Sequence, residues 1–176
     1  MTCAVRQPRM DRTDSDFSRV YEEHVSSVYG FLAYRVRDTH LAEDLTQATF
    51  ERALRGWGRF DPRRASERTW LLVIARNLLI DHHRKHRAVI LEELDEGSSP
   101  VSDDPTPRYQ ASAELLEALA ELSDRDREVI ALRFGGDLTG PEIAELLGLS
   151  LANVQQLLSR SLRRLRGLLE GVPADG

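Results

Sequence analysis

Asn153, Gln156, Arg160 and Arg163 recur at spacings of three, four and three, which sets four polar side chains along one face of a helix. The chemistry open to such a face is hydrogen bonding to nucleic acid. Asn and Gln amides match the edge of adenine, and Arg matches guanine or a phosphate. Gln155 adds an amide beside Gln156, so the start of the stripe suits bases and its arginine-rich end suits phosphates. On the other side of the same helix, Val154, Leu158, Ser161 or Leu162, and Leu165 are expected to face a core. A helix hairpin that binds nothing shares this amphipathic pattern.

Two further groups carry chemistry. Asp44, Gln47, Glu51 and Arg55 form a second polar stripe at helical spacing, which is either solvated or receives a partner. The segment "ERTWLLVIARNLLIDHHRKHR" becomes strongly basic after Asp81 and follows a loop containing Trp57 and Phe60. Cations beside exposed aromatics, here Phe60, Trp57 and Trp70, hold a nucleic-acid backbone and stack on bases; the plainer reading makes both tryptophans core and the arginines solvated. His82 and His86, four apart beside Asp81, have the spacing of metal ligands. No matching ligands appear elsewhere and the His-Glu-x-x-His pattern is missing, so a basic tip facing DNA is favoured. No nucleophile–base set or Gly-rich phosphate loop is visible. Cys3 is the single cysteine and closes no internal disulfide, so neither an enzyme nor a cofactor is expected.

The periodicity that positions these groups is helical throughout. Phe17, Val20, Tyr21, Val25, Val28, Phe31 and Leu32 predict one helix to about Arg37. Thr39 is expected to cap a second, with Leu41, Leu45, Ala48 and Phe50 inward. Gly56, Gly58 and Pro62 break the chain before Ser66 caps the basic helix. Farther on, a helix is expected over 111–122, then Ser123 with Asp126, and Thr139 with Glu142, each have the spacing of a capping box. Gly148 turns the chain and Ser150 caps the last helix, so "PEIAELLGLSLANVQQLLSR" reads as a helix-turn-helix.

The formal net charge of −5 sits oddly with a DNA-reading helix, but it is the sum of blocks of opposite sign. Residues 17–90 carry 13 bases and 9 acids, 109–149 carry 3 bases and 9 acids, and 150–170 carry 4 bases and 1 acid. Between them, "EELDEGSSPVSDDPTPR" is acidic and rich in Pro, Ser and Gly, with too few apolar residues to offset its ordering entropy. The expected fold is all-α: two small helical domains, 14–91 and 109–170, joined by a flexible acidic linker over 92–108. No apolar run approaches the roughly 20 residues that span a bilayer. The N-terminus has no continuous apolar stretch after its charges, which makes the cytoplasm the default compartment.

In this order the pieces resemble the extracytoplasmic-function group of the sigma-70 family of bacterial sigma factors. The likeness is carried by "AEDLTQATFERA", "RTWLLVIARNLLIDHHR" and the C-terminal helix-turn-helix. It implies that Asp44, Gln47 and Phe50, with Glu51 on the same stripe, belong to the segment that docks on the β′ clamp of core RNA polymerase, Phe50 largely as internal packing. It implies that Phe60, Trp70, Arg76, Asn77, His83, Arg84 and Arg87 line the opened minus-ten strand. Asn153, Gln155, Gln156, Arg160 and Arg163 would read the minus-thirty-five element from a domain next to the β flap. Promoter DNA and core polymerase are the partners implied, with an anti-sigma factor a further candidate and no membrane insertion. Family members usually carry Gly-Thr-Val and then Lys-Ser where this chain has "LANVQQ", which exchanges a phosphate contact for two amides. The competing reading is a stand-alone helix-turn-helix regulator, which leaves the Asp44 stripe and the basic helix without a task.

Polymerase would supply much of the electrostatic grip on DNA, so an acidic chain needs basic surface only where it touches promoter. The linker would then lie in the path of nascent RNA. Replacing its acids with Ser and Gly is expected to change the ratio of abortive to full-length transcripts; an unchanged ratio counts against that role.

Overall fold

In the computed structural model, residues 14–92 and 112–170 are described, and all regular structure among them is helical. The elements are α1 (Asp14–Arg35), α2 (Thr39–Gly56), a 3-10 turn (Trp57–Arg59), α3 (Glu67–Glu92), α4 (Ala113–Ala120) and α5 (Asp124–Ile130). A π turn (Ala131–Gly135) continues α5, and α6 (Gly140–Leu147) and α7 (Leu151–Leu169) complete the chain. The flexible-linker expectation falls on residues outside the described ones, apart from Glu92 at the end of α3.

Helix ends follow local chemistry, with one correction. Asp38, not Thr39, caps α2, its carboxylate accepting from the Leu41 amide at 3.2 Å. Both residues can cap, and the shorter first helix, ending at Arg35, leaves Asp38 extended in the cap position. Ser66, Ser123 and Ser150 each accept an amide three residues on, from Thr69, Asp126 and Asn153. The Glu142 carboxylate reaches back to the Thr139 amide at 2.8 Å. Gly148 sits at φ 64°, a left-handed position that glycine occupies without Cβ strain, and this sets the turn between α6 and α7.

α1 supplies the centre of the core through Val20, Val28, Phe31 and Leu32, all fully buried, and α3 adds Leu71, Leu72, Ala75 and Leu79. α2 buries Thr46 and Thr49, whose hydroxyls donate to the carbonyls of Ala42 and Leu45 at 2.7 Å. Those bonds remove the cost of burying the hydroxyls. Of the two readings of this loop, the plainer one holds for Trp57, which is buried at 5% exposure, and Phe60, a candidate for exposure, is buried as well, at 8%. Their rings stack at 5.4 Å with 9° between planes, and Phe60 lies 4.9 Å from Trp70. Three large apolar rings within one short loop and the next helix bury more area against each other than either could against solvent.

The two helical units are present, and they pack on each other. Val129, Leu132, Leu138, Ile143 and Val154 of the C-terminal unit join the same core as α1 and α3. A smaller cluster of Ala118, Leu119, Leu122, Ile130 and Leu165 ties α4 and α5 to α7. Between Ser161 and Leu162, Ser161 is the inward residue and Leu162 is exposed. Ser161 packs there because its hydroxyl donates to the Leu157 carbonyl and to Asp126.

Asp126, 5% exposed, staples α5 to α7. It accepts from Arg160 at 2.8 Å, from Ser161 at 3.1 Å and from the Ser123 hydroxyl at 2.7 Å. Burial pushes its carboxyl up, but the bonds from Arg160, Ser123 and Ser161 outweigh that and hold it below the ordinary value of 3.8. A depressed carboxylate contributes stability that is whole above its unfolded pKa and is lost as pH falls through the folded one. Wild-type stability should therefore decline below about pH 4, and Asp126→Asn should flatten that decline in urea melts at successive pH values. Phe60→Ala is expected to cost about 3–5 kcal/mol in the same melts, the range for emptying a buried aromatic site; a loss below about 1 kcal/mol would return Phe60 to the surface.

Candidate nucleic-acid interface

α7 presents Asn153, Gln155, Gln156, Arg160 and Arg163 to solvent, while Val154, Ser161 and Leu165 bury the opposite face. The division follows from the helical period: the buried positions lie seven and four apart, leaving the stripe outward. Arg160 is 62% exposed at its side chain yet fixed at one nitrogen by Asp126. A guanidinium has five donors, so one such bond leaves the rest for a phosphate or guanine.

α3 carries the second group. Asn77 and Arg84 are exposed, Trp70 is half-buried over the aromatic cluster, and Arg84 lies 3.6 Å from Asp81 on its own helix. Arg76 is half-buried, its Nε donating to Glu128 of α5 at 2.7 Å. His83 has its imidazole pKa lowered, first by burial and then by the Arg35 charge. The side chain of Arg87 lies outside the described residues. Phe60 belongs to the sequence-predicted strand-contacting set, but its ring is turned into the core. Trp70 is the aromatic of the cluster with a partly open face.

Asp44, Gln47 and Glu51 are exposed on α2, and the Gln47 amide donates to Glu51 at 3.0 Å. Phe50 is internal at 5% exposure, as its place in the apolar period implies. Between α1 and α2 runs an apolar groove of about 780 Å³ floored by Phe50 and walled by Tyr21, Val25, Tyr29 and Leu54, with Gln47 and Glu51 on its rim. Tyr21 and Leu54 are about half exposed there. Tyr21 belongs to the apolar series that predicts the first helix; only a missing neighbour across the groove leaves it open, and spacing along one helix carries no such signal.

His82 and His86 have ring centroids 6.1 Å apart. Among the described residues, three donor side chains close enough for one ion occur elsewhere, at Glu23, His24 and Glu67. Arg19 bridges both of those carboxylates, at 2.7 and 2.9 Å, so a guanidinium already holds the position a cation would take. Two cations outside the sequence-predicted site residues, Arg35 and Arg68, make contacts between the units. Arg35 donates to the Asp124 carbonyl at 2.8 Å, and Arg68 to the Asp137 carboxylate at 2.9 Å, so both cross from one helical unit to the other.

Comparison with known proteins matches both units. Residues 20–89 match the family model "Sigma-70 region 2", and residues 112–165 match "Sigma-70, region 4". The ECF RNA polymerase sigma factor BldN of Streptomyces coelicolor is 35% identical over 158 residues, which span 87% of this chain and 60% of that protein. The ECF RNA polymerase sigma factor SigM of Bacillus subtilis is 33% identical over 153 residues, 85% of this chain and 92% of that one. In fold, the chain is similar to the sigma factor RpoE of Bartonella quintana, solved in complex with the anti-sigma factor NepR. That match has a TM-score of 0.77 and 23% identity, over 89% of this chain and 98% of that one. With a polar-faced helix-turn-helix in the C-terminal unit, a basic helix in the N-terminal unit and both units matched in order, the chain belongs to the extracytoplasmic-function group of the sigma-70 family of RNA polymerase sigma factors.

Proposed function

We propose that this sigma factor docks on the β′ clamp of core RNA polymerase through the α1–α2 groove and its rim of Asp44, Gln47 and Glu51. It reads the minus-thirty-five element with α7 beside the β flap, and it holds the melted minus-ten strand on α3. The observation that carries this reading is the pairing of two unlike faces on one chain. α7 offers exposed amides and guanidiniums, suited to base edges and phosphates, whereas α2 offers acid and amide beside open apolar surface, suited to protein. A regulator acting on DNA alone has no use for the second.

On α3, Trp70, Arg76, Asn77, His83 and Arg84 follow one another along the helix, so an unpaired strand laid against it meets an aromatic plane first and cations after it. Flipping a base costs a few kcal/mol, offset by stacking and phosphate contacts that only the opened strand makes. The protein has no catalytic site of its own in this scheme and acts in the cytoplasm, where polymerase is. Among the described residues, no helix is long and apolar enough to cross a membrane. An anti-sigma factor that covers the α1–α2 groove would block polymerase docking directly.

Transcription by purified bacterial core polymerase on fragmented DNA from the source organism, with and without this protein, tests the reading. Discrete new RNA starts sharing upstream elements are expected, and no binding to core would overturn it. Asp44→Ala combined with Gln47→Ala should weaken core binding by roughly tenfold or more with little change in thermal stability, since both side chains are exposed.

A further inference from the structure

The apolar groove between α1 and α2 is acidic at both ends. Its floor, Phe50, meets the Tyr21 ring edge-on at 4.7 Å, and the half-exposed Tyr21 and Leu54 leave apolar surface open above it. The Phe17 and Phe50 rings lie 6.4 Å apart, which puts Glu51 at the end where α1 begins. Glu43 stands at the far end beside Tyr29, whose hydroxyl pKa is raised first by burial and then by the Glu43 charge. Along α2 the two carboxylates are separated by about 12 Å, at 1.5 Å of rise per residue. Among the described residues, no cation lines the groove.

The chain ahead of α1 has the complementary chemistry. Residues 1–13 carry Arg6, Arg9 and Arg12 against one acid, Asp11. In a polyproline II helix, which turns once in three residues, side chains so spaced share one face about 9 Å apart. Met1, Ala4, Gln7 and Met10 keep the same period and fall on a second face, mostly apolar and adaptable in shape. The segment joins α1 at Asp14, three residues before Phe17 at the mouth of the groove. From Phe17 to Tyr29 the groove follows α1 for about 18 Å, whereas nine residues of polyproline II reach about 28 Å. The length ahead of α1 is therefore enough to reverse direction and run back along the whole groove.

We propose that residues 1–13 fold back into the α1–α2 groove, with Arg9 against Glu51, Arg6 against Glu43 and the methionine face on Phe50 and Tyr21, and compete there with polymerase. The competition rests on the assignment of the groove to the β′ clamp; the docking of the arm does not. The register follows from the spacings: arginines about 9 Å apart on flexible side chains meet carboxylates about 12 Å apart, and residues 10–13 are left for the reversal. The chain's own arm is favoured over that of a second copy because the tether holds it at an effective concentration on the order of millimolar. Ion pairs at an exposed rim are individually weak, so a partner with a larger interface displaces the arm.

Cys3 lies in this segment and is the single cysteine of the chain, so a nitroxide attached to it reports where the arm lies. In the isotope-labelled full chain, the nitroxide is expected to broaden the amide signals of Tyr29 and Glu43, at the far end of the groove from Asp14. Arg6→Glu combined with Arg9→Glu leaves the folded units untouched and reverses the charge of the arm. It should cut the broadening at Tyr29 and Glu43 about fivefold or more, since an undocked arm samples the space around its attachment instead. Without a label, the same double variant should bind core polymerase about threefold or more tightly than wild type, by freeing the occupied fraction of grooves. The difference should shrink as salt screens the rim pairs.

Broadening confined to amides beside Asp14, and equal in the double variant, would overturn the docked arm. Broadening at Tyr29 and Glu43 that persists when spin-labelled chain without isotope is mixed with isotope-labelled chain without spin label would assign the groove to a second copy and overturn it too. A docked arm with no gain in core affinity on charge reversal would remove the competition. Transcription with core polymerase separates these results from the function itself. Discrete starts from the wild type without broadening at the far end leave the sigma-factor function standing and eliminate only the arm; broadening there without core binding keeps the arm and overturns the docking assignment.

Discussion

The backbone of α1 touches the backbone of the π turn at Gly30 and Gly135, and the joint core follows from that approach. A Cβ on Gly135 would stand 2.5 Å from the Gly30 carbonyl, a distance that no side-chain adjustment relieves, because the atoms met are main chain. With both side chains absent, Phe31 and Leu32 of one unit and Val129 and Leu132 of the other close into one buried cluster. The π turn adds to this by carrying the chain past the contact before Leu138 returns it to the core. A residue with a side chain at either glycine would separate two apolar faces that each unit alone leaves uncovered.

Electrostatics runs in the same direction as packing. The basic block 17–90 and the acidic block 109–149 are separate in the sequence and adjacent in space. Three cross-pairs, Arg35 with the Asp124 carbonyl, Arg68 with Asp137 and Arg76 with Glu128, join them at the seam. The acidic sum of the chain is therefore more than dilution of its basic surfaces. Part of the acid lies directly against the cations of α3, which lowers their attraction for any polyanion. Exposed pairs of this kind contribute little to stability.

The helices were legible because apolar spacing along one segment is a local property. α1, α3 and α7 lie where Phe17 to Leu32, Trp70 to Leu78 and Val154 to Leu165 place them. Caps were legible to within one residue, and Asp38 displaced Thr39 because two adjacent cap-forming side chains compete and the end of the preceding helix decides between them. The exposed stripes of α2 and α7 were legible for the same reason as the cores beneath them. Trp57 and Phe60 stayed undecided between surface and core because a loop with Gly and Pro reads as surface, and only the cluster with Trp70 reveals that its aromatics turn inward. The seam was not legible at all. Arg35, Glu128, Gly30 and Gly135 have no periodic relation to one another; they become a unit only when two separate helix faces meet.

That difference in origin separates the two arginines proposed for DNA. Arg160 is held by Asp126, a residue of its own unit, and remains largely exposed while held. Its geometry is therefore set within one unit. Arg76 is held by Glu128 of the opposite unit and is half-buried while held. The two bonds differ in what fixes them: the hold on Arg160 is set by residues of α5 and α7 within one unit, whereas the hold on Arg76 exists only because α3 and α5 of different units meet.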